Sequence, residues 1–121
     1  MTTEVKRSRR VAESIREEMS LLLRGLSDPR LSGVLVTRVD VTDDLSFCRI
    51  YVRRDTGADE AERRTLLRGL DAAAGRLRRD LARKVVLRVS PALRFQYDEG
   101  IDAQQRVEEL LREIETDKTR G

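Results

Sequence analysis

The apolar residues Leu66, Leu70, Ala73, Leu77 and Leu81 recur at intervals of four, three, four and four. That spacing keeps one stripe on one face of an α-helix, and any fold for this chain must hold that stripe against an apolar partner. It passes through Ala72-Ala73-Ala74-Gly75 without losing phase, although glycine inside a helix costs about 1 kcal/mol relative to alanine. The spacing therefore predicts one helix that is kinked at Ala74-Gly75 rather than ended there. It begins near Asp59, with Asp59, Glu60 and Glu62 placed early, where the helix dipole favours acids. Gly75 also has a packing reading, in which the missing side chain lets helix and sheet backbones approach.

The remaining elements follow from periodicity. Val11, Ile15, Met19, Leu22, Leu23 and Leu26 make one apolar helical face over residues 8–26, and Ser27-Asp28-Pro29 closes it. Residues 34–42 and 46–54 read as a hairpin around an Asp43-Asp44 turn. In the second strand Cys48, Ile50 and Val52 point to the core, while Phe47, Arg49, Tyr51 and Arg53 share the other face. Residues 85–89 form an extended apolar run that Ser90-Pro91 interrupts. Leu93, Phe95 and Tyr97 alternate as a third strand, and Ile101, Val107, Leu110, Leu111 and Ile114 mark a last, acidic helix. The order predicts an α+β fold, α-β-β-α(kinked)-β-α, with a three-stranded sheet covered by helices on one face. One domain over residues 6–115 with flexible termini at 1–5 and 116–121 accounts for the length.

Charge is segregated along the chain. The net charge is only +3 and the pI about 9.5, a weak lean towards nucleic acid. Lys6, Arg7, Arg9 and Arg10 form a first basic cluster with no acid among them. Arg76, Arg78, Arg79, Arg83, Lys84, Arg88 and Arg94 follow the alanine-glycine junction with Asp80 as the only acid in that stretch. Residues 98–117 reverse the sign, with eight acids against Arg106 and Arg112. A basic run with so few local acids must repel itself or meet an external anion. Its arginines suit bidentate contact with phosphate.

Catalysis is poorly supported. The chain has no histidine, so the commonest general base and metal ligand is missing. Its one cysteine, Cys48, allows no intrachain disulfide and fits a reducing cytoplasm. Facing the core, Cys48 reads as a small hydrophobe rather than a nucleophile. Gly69 and Gly75 stand in a helical pattern, not a phosphate loop, and Asp43-Asp44 reads as turn chemistry rather than a metal site. We expect no cofactor, no metal and no membrane segment. Without heptads to drive association, a monomer is expected.

The order of elements, with a glycine before the last strand, resembles a type II KH domain. There a G-x-x-G loop clamps a nucleotide backbone, whereas this chain has Ala73-Ala74-Gly75, an A-x-G. That substitution is similar to the ribosome-binding factor A family. Further stretches carry the resemblance: Arg10-Val11-Ala12-Glu13 with Ile15-Arg16 and Glu18; Asp28-Pro29-Arg30-Leu31; Val39-Asp40-Val41 with Asp44-Leu45; and Ile50-Tyr51-Val52. Pro91-Ala92-Leu93-Arg94-Phe95, Tyr97-Asp98-Glu99, Ile101 and Arg106-Val107-Glu108-Glu109-Leu110-Leu111 complete it.

The resemblance implies a non-catalytic factor that binds the free small (30S) ribosomal subunit. It further implies a role in late maturation, including processing of the 5′ end of 16S ribosomal RNA, and importance for growth in the cold. The tail functions of longer members are not carried over. The residues themselves suggest a mode of binding. Arg76, Arg78, Arg79, Arg83 and Lys84 are expected to contact phosphates of folded RNA, extended by Lys6, Arg7, Arg9 and Arg10. A kink at Gly75 would add freed backbone donors. Ribosomal proteins are a further partner class: in the alternative reading, the acidic last helix or the Phe47, Arg49, Tyr51, Arg53 face docks a protein. A hydrolase using paired carboxylates ranks last.

Overall fold

Strand β1 (Val34–Val41) has its core-facing valines in two parities, Val34 and Val36 against Val39 and Val41. Side chains alternate faces along a strand, so both pairs reach the same face only if one extra residue is absorbed between them. A β-bulge does this. The register with β2 (Phe47–Arg54) shifts between Val36, opposite Val52, and Arg38, opposite Tyr51, leaving Thr37 as the extra residue. The computed structural model describes residues 3–85 and 90–100, together with 111, 112 and 115, and side chains from Arg7 on.

The hairpin turn is held by Asp44. Its Oδ1 accepts from the Ser46 backbone N–H at 3.0 Å, the Ser46 hydroxyl at 2.7 Å and the Thr42 hydroxyl at 2.8 Å. These donors, led by the Ser46 hydroxyl, hold its carboxyl down to about 2. The turn chemistry expected for this pair is therefore present, and it centres on Asp44.

Helix α1 (Thr3–Arg24) begins five residues before the expected start and ends two before the expected end. The amides of Gly25 and Leu26 bond the carbonyls of Leu22 and Leu23, three residues back, which tightens and terminates the last turn. A 3₁₀ turn, Pro29–Leu31, follows, with the Asp28 carboxylate accepting from the Arg30 amide at 2.9 Å.

Helix α2 (Glu60–Lys84) links β2 to β3 (Ala92–Tyr97), which runs parallel to β2, and the sheet order is β1-β2-β3. A parallel pair requires such a crossover. Asp59 and Glu62 form a capping box at its start: the Glu62 amide donates to Asp59 Oδ1 at 2.8 Å, and the Asp59 amide to Glu62 Oε1 at 3.3 Å. That satisfies two of the orphaned donors of the first turn.

Both helices lie against one face of the sheet. Leu66, Leu70, Leu77 and Leu81 of α2 and Ile15, Met19 and Leu23 of α1 pack with Cys48, Ile50 and Val52 of β2. Each fully buried aliphatic side chain contributes about 1.5–3 kcal/mol, so this layer holds the fold together. The expected strand faces are those observed, and Leu93, Phe95 and Tyr97 complete the inner face.

Two expectations about α2 need correction. The helix is uninterrupted from residue 60 to 84, so no helix N-terminus opens at Gly75 and no amide donors are freed by a break there. Gly75 is not a packing glycine, because a Cβ there would meet nothing within 4 Å. The close approach falls at Gly69, where a Cβ would lie 3.0 Å from Leu31 Cδ2 and 3.1 Å from Arg30 Cβ. Residues 86–89, with Arg88, lie outside the described residues. So does the last helix expected over 101–114, apart from Leu111 and Arg112, which are helical.

Candidate nucleic-acid interface

The second half of α2 sorts the basic run by helix geometry. Successive residues are separated by about 100°, so Arg76, Arg79 and Arg83, spaced three and four apart, share one ridge. That ridge faces away from the Leu77 and Leu81 stripe, and all three side chains are exposed. Arg76 makes a loose ion pair with Asp80, Nε to Oδ2 at 3.6 Å. Such exposed pairs contribute little. Arg79 and Arg83 have no ion pair or side-chain hydrogen bond among the described residues.

Gly75 stands beside this ridge, exposed and uncovered. Its missing side chain serves no internal contact, so its effect is to lower the helix surface next to Arg76 and Arg79. An incoming phosphodiester backbone could then approach the helix backbone closely. Ala72 and Ala82 are likewise exposed and small.

Arg78 belongs elsewhere. Its Nε donates to Ser90 Oγ at 3.0 Å and its Nη2 to the Ser90 carbonyl, tying the end of α2 to the approach to β3. Sequence alone placed it with the phosphate-contacting arginines; the structure gives it a bracing role. Lys84 lines a cleft with Arg10, Val11, Ser14, Glu17, Glu18 and Val85. The fold therefore brings one member of the first basic cluster to the end of the second, with two carboxylates nearby. Arg7 and Arg9 are exposed on α1, with Arg9 about 100° around the helix from Arg10. The side chain of Lys6 lies outside the described residues.

The first half of α2 is built differently. Arg54 of β2 donates to Glu62 Oε2 at 3.1 Å and to the Arg30 carbonyl at 3.2 Å, with its side chain only 17% exposed. Arg63 stacks over the Tyr97 ring at 4.5 Å and donates to the Ala58 carbonyl at 3.1 Å and to Glu99 at 3.4 Å. Buried Asp98 accepts from the Thr37 hydroxyl at 2.6 Å and the Gly100 amide at 2.9 Å, pinning the end of β3 to the bulge. Sequence reasoning missed these anchors, since each has a partner far along the chain: Arg30 for Arg54, Glu99 for Arg63 and Thr37 for Asp98.

Cys48 is fully buried, and burial first, with the nearby Asp40 charge, pushes its thiol up to about 12. A thiol so disposed stays protonated and unreactive at neutral pH. Among the described residues, no three His, Cys, Asp or Glu residues are grouped to hold a metal ion, and no helix is long and apolar enough to cross a membrane.

Two helices on one face of a three-stranded sheet, with a small-residue junction beside an arginine ridge, place the chain among α+β proteins of KH-like architecture. The family model of ribosome-binding factor A matches residues 7–111. A ribosome-binding factor A from Sorangium cellulosum is 62% identical over 115 residues, covering 94% of this chain and 93% of its own. The crystal structure of ribosome-binding factor A from Thermus thermophilus superposes with a TM-score of 0.66 at 29% identity, over 74% of this chain and 94% of its own. A Thermus thermophilus homology model, fitted into a cryo-electron microscopy map of a complex between the 30S subunit and that factor, gives a TM-score of 0.58 at 30% identity. It covers 79% of this chain and 96% of its own. The chain belongs to the ribosome-binding factor A family.

Proposed function

We propose that this protein binds the free 30S ribosomal subunit through 16S ribosomal RNA and acts, without catalysis, in late maturation of that subunit. Processing of the 5′ end of the RNA and growth in the cold are the steps that would suffer without it, and the protein works in the cytoplasm as a monomer. Family membership and the 30S complex of the Thermus relative support the choice of subunit. The observation that carries the mode of binding is the ridge of Arg76, Arg79 and Arg83 beside uncovered Gly75. Among the described residues its one ion pair is the loose contact between Arg76 and Asp80, and a Cβ at its glycine would meet nothing within 4 Å.

Such a ridge recognises phosphate positions on folded RNA rather than base identity. It takes the place of the single-strand grip of a G-x-x-G loop. Arg10 and Lys84 extend the contact at the far end of the helix, where their cleft opens. Arg78 acts one step back by holding the helix end in place.

Replacing Arg76, Arg79 and Arg83 together by Glu tests this. Cosedimentation with purified 30S subunits should fall at least about a hundredfold in affinity near 0.1 M salt. The salt slope of the residual binding should be shallower by roughly 2 to 3, at about 0.7–0.9 per lost phosphate contact. The circular dichroism spectrum should not change, since the three side chains are exposed. Wild-type association by this variant would remove the ridge as the binding surface.

A further inference from the structure

The sheet has a second face, and no helix among the described residues covers it. Its composition follows from the register. Phe47, Arg49, Tyr51 and Arg53 run down the central strand, opposite Ala92, Arg94 and Gln96 of β3 on one side and Asp40, Arg38 and Leu35 of β1 on the other. Residues of one face repeat about every 6.6 Å along a strand, so aromatic and cation alternate at that interval. Arg38, Arg49, Arg53 and Arg94 are exposed, Leu35 is 48% exposed, and Phe47 and Tyr51 are half-buried.

The charge balance of this face is lopsided. Among the described residues Asp40 is its only acid, and its Oδ1 already accepts from Arg38 Nε at 2.9 Å. Arg49 and Arg94 are direct register partners on adjacent strands, and like charges placed opposite one another destabilise a sheet. Neither they nor Arg53 make an ion pair among the described residues. An anion seated between Arg49 and Arg94 would relieve that repulsion and be gripped from both sides. Arginine and aromatic residues are also favoured at protein–protein interfaces, but a face whose one described acid is already paired presents charge of a single sign, which favours a polyanion. Alternating arginine and aromatic side chains match a polyanion whose units each carry a phosphate and a flat base.

We propose that this face binds single-stranded RNA, with bases stacked on Phe47 and Tyr51 and phosphates held by Arg49, Arg94 and Arg53. The surface lies on the sheet, not on α2, and the proposal does not depend on the helical ridge. It gives the protein a strand-binding site in addition to one for folded RNA, so a single molecule could hold an unpaired segment beside a structured one.

The probe is a fluorescein-labelled decamer of oligouridylate, titrated with the full-length protein and read by anisotropy. Wild-type protein should bind it with a dissociation constant on the order of 10⁻⁴ to 10⁻⁶ M, weakening with salt. Arg49→Glu with Arg94→Glu should weaken binding about tenfold or more, and the Arg49→Gln, Arg94→Gln pair should follow in the same direction without adding acids beside Asp40. Tyr51→Ala should cost roughly fivefold or more through lost stacking. Tyrosine fluorescence should be quenched on binding, and Tyr51→Phe should bind while losing most of that quenching. The Arg76, Arg79, Arg83 reversal, which lowers the general attraction for any polyanion, should weaken decamer binding less than the Arg49, Arg94 reversal and leave the quenching in place, which separates this site from the ridge. Three results would overturn the proposal. One is wild-type protein that ignores the decamer. Another is Gln and Glu pairs that bind it unchanged. The third is a sheet variant that keeps the decamer but loses a ribosomal protein or a second copy of this chain, which would assign the face to a protein.

Discussion

Arginines around the two ends of α2 are of the same kind but in different employment. At its first end Arg54 and Arg63 are tied to Glu62, Glu99, the Tyr97 ring and two backbone carbonyls. At its second end Arg79 and Arg83 project from the ridge with no partner among the described residues. The first set holds β2, α2 and β3 in place. The second contributes nothing visible to the fold, and residues that leave the fold indifferent are free to serve a ligand. The teaching is that arginine content says little about nucleic-acid binding until internal partners are subtracted.

The largest stability effect that would sharpen this contrast is at Arg54. Arg54→Ala should destabilise the protein by about 1–2 kcal/mol, the scale of lost charge-assisted hydrogen bonds. Arg79→Ala should stay within about 0.5 kcal/mol, as exposed substitutions do. Urea denaturation of the two variants measures both, and equal losses would break the comparison.

The glycines provide an intermediate test with opposite signs. Gly75→Ala has room for its methyl group and should stabilise the helix by up to about 1 kcal/mol. If the low surface beside the ridge serves RNA, the same variant should bind 30S subunits more weakly despite being more stable. Gly69→Ala drives a methyl group against Leu31 and Arg30. Overpacking of roughly 1–3 kcal/mol should exceed the helix-propensity gain of about 1 kcal/mol, leaving a net loss. Thermal melts of the pair decide it, and a destabilising Gly75→Ala would return that residue to a packing role.

The smallest effect concerns a carboxylate with wholly local partners, outside α2 altogether. The folded-state pKa of Asp44 is depressed to about 2, so its stabilising contribution is present above the ordinary carboxylate range and is lost as pH falls through about 2. Asp44→Asn should melt lower than wild type at pH 6, and the gap should close on acidification to pH 2. A gap independent of pH would mean that the carboxylate charge adds nothing to the turn.

Much of the architecture was legible because it depends on near neighbours in sequence. Cys48, Ile50 and Val52 announce their face by alternation, and the Leu66 to Leu81 stripe announces a continuous helix. What stayed hidden depends on residues far along the chain. Gly69 and Gly75 look alike in a helical pattern, and only the position of the Pro29–Leu31 turn makes one of them crowded. Arg78 and Arg79 are adjacent, yet one finds Ser90 and the other finds solvent. The ridge of Arg76, Arg79 and Arg83 could have been read from their three-and-four spacing alone. The anchors at Arg63 and Asp98 could not, because their partners are set by how β3 returns beside β2. The valine parity change in β1 did signal a bulge, and it could have been used.

That bulge also governs which changes of length the chain can accept. Removing Thr37 would leave the hairpin turn intact and make β1 a regular strand, with Val34, Val36, Val39 and Val41 all still on the core face and Val36 and Arg38 still opposite Val52 and Tyr51. The loss would be the Thr37 hydroxyl that donates to Asp98. Removing Leu35 instead would put Val34 in its place on the outer face. Away from the bulge, changes of length should therefore be confined to the loops, such as residues 55–58, where no face is at stake. In β1 the position of a length change matters more than its size.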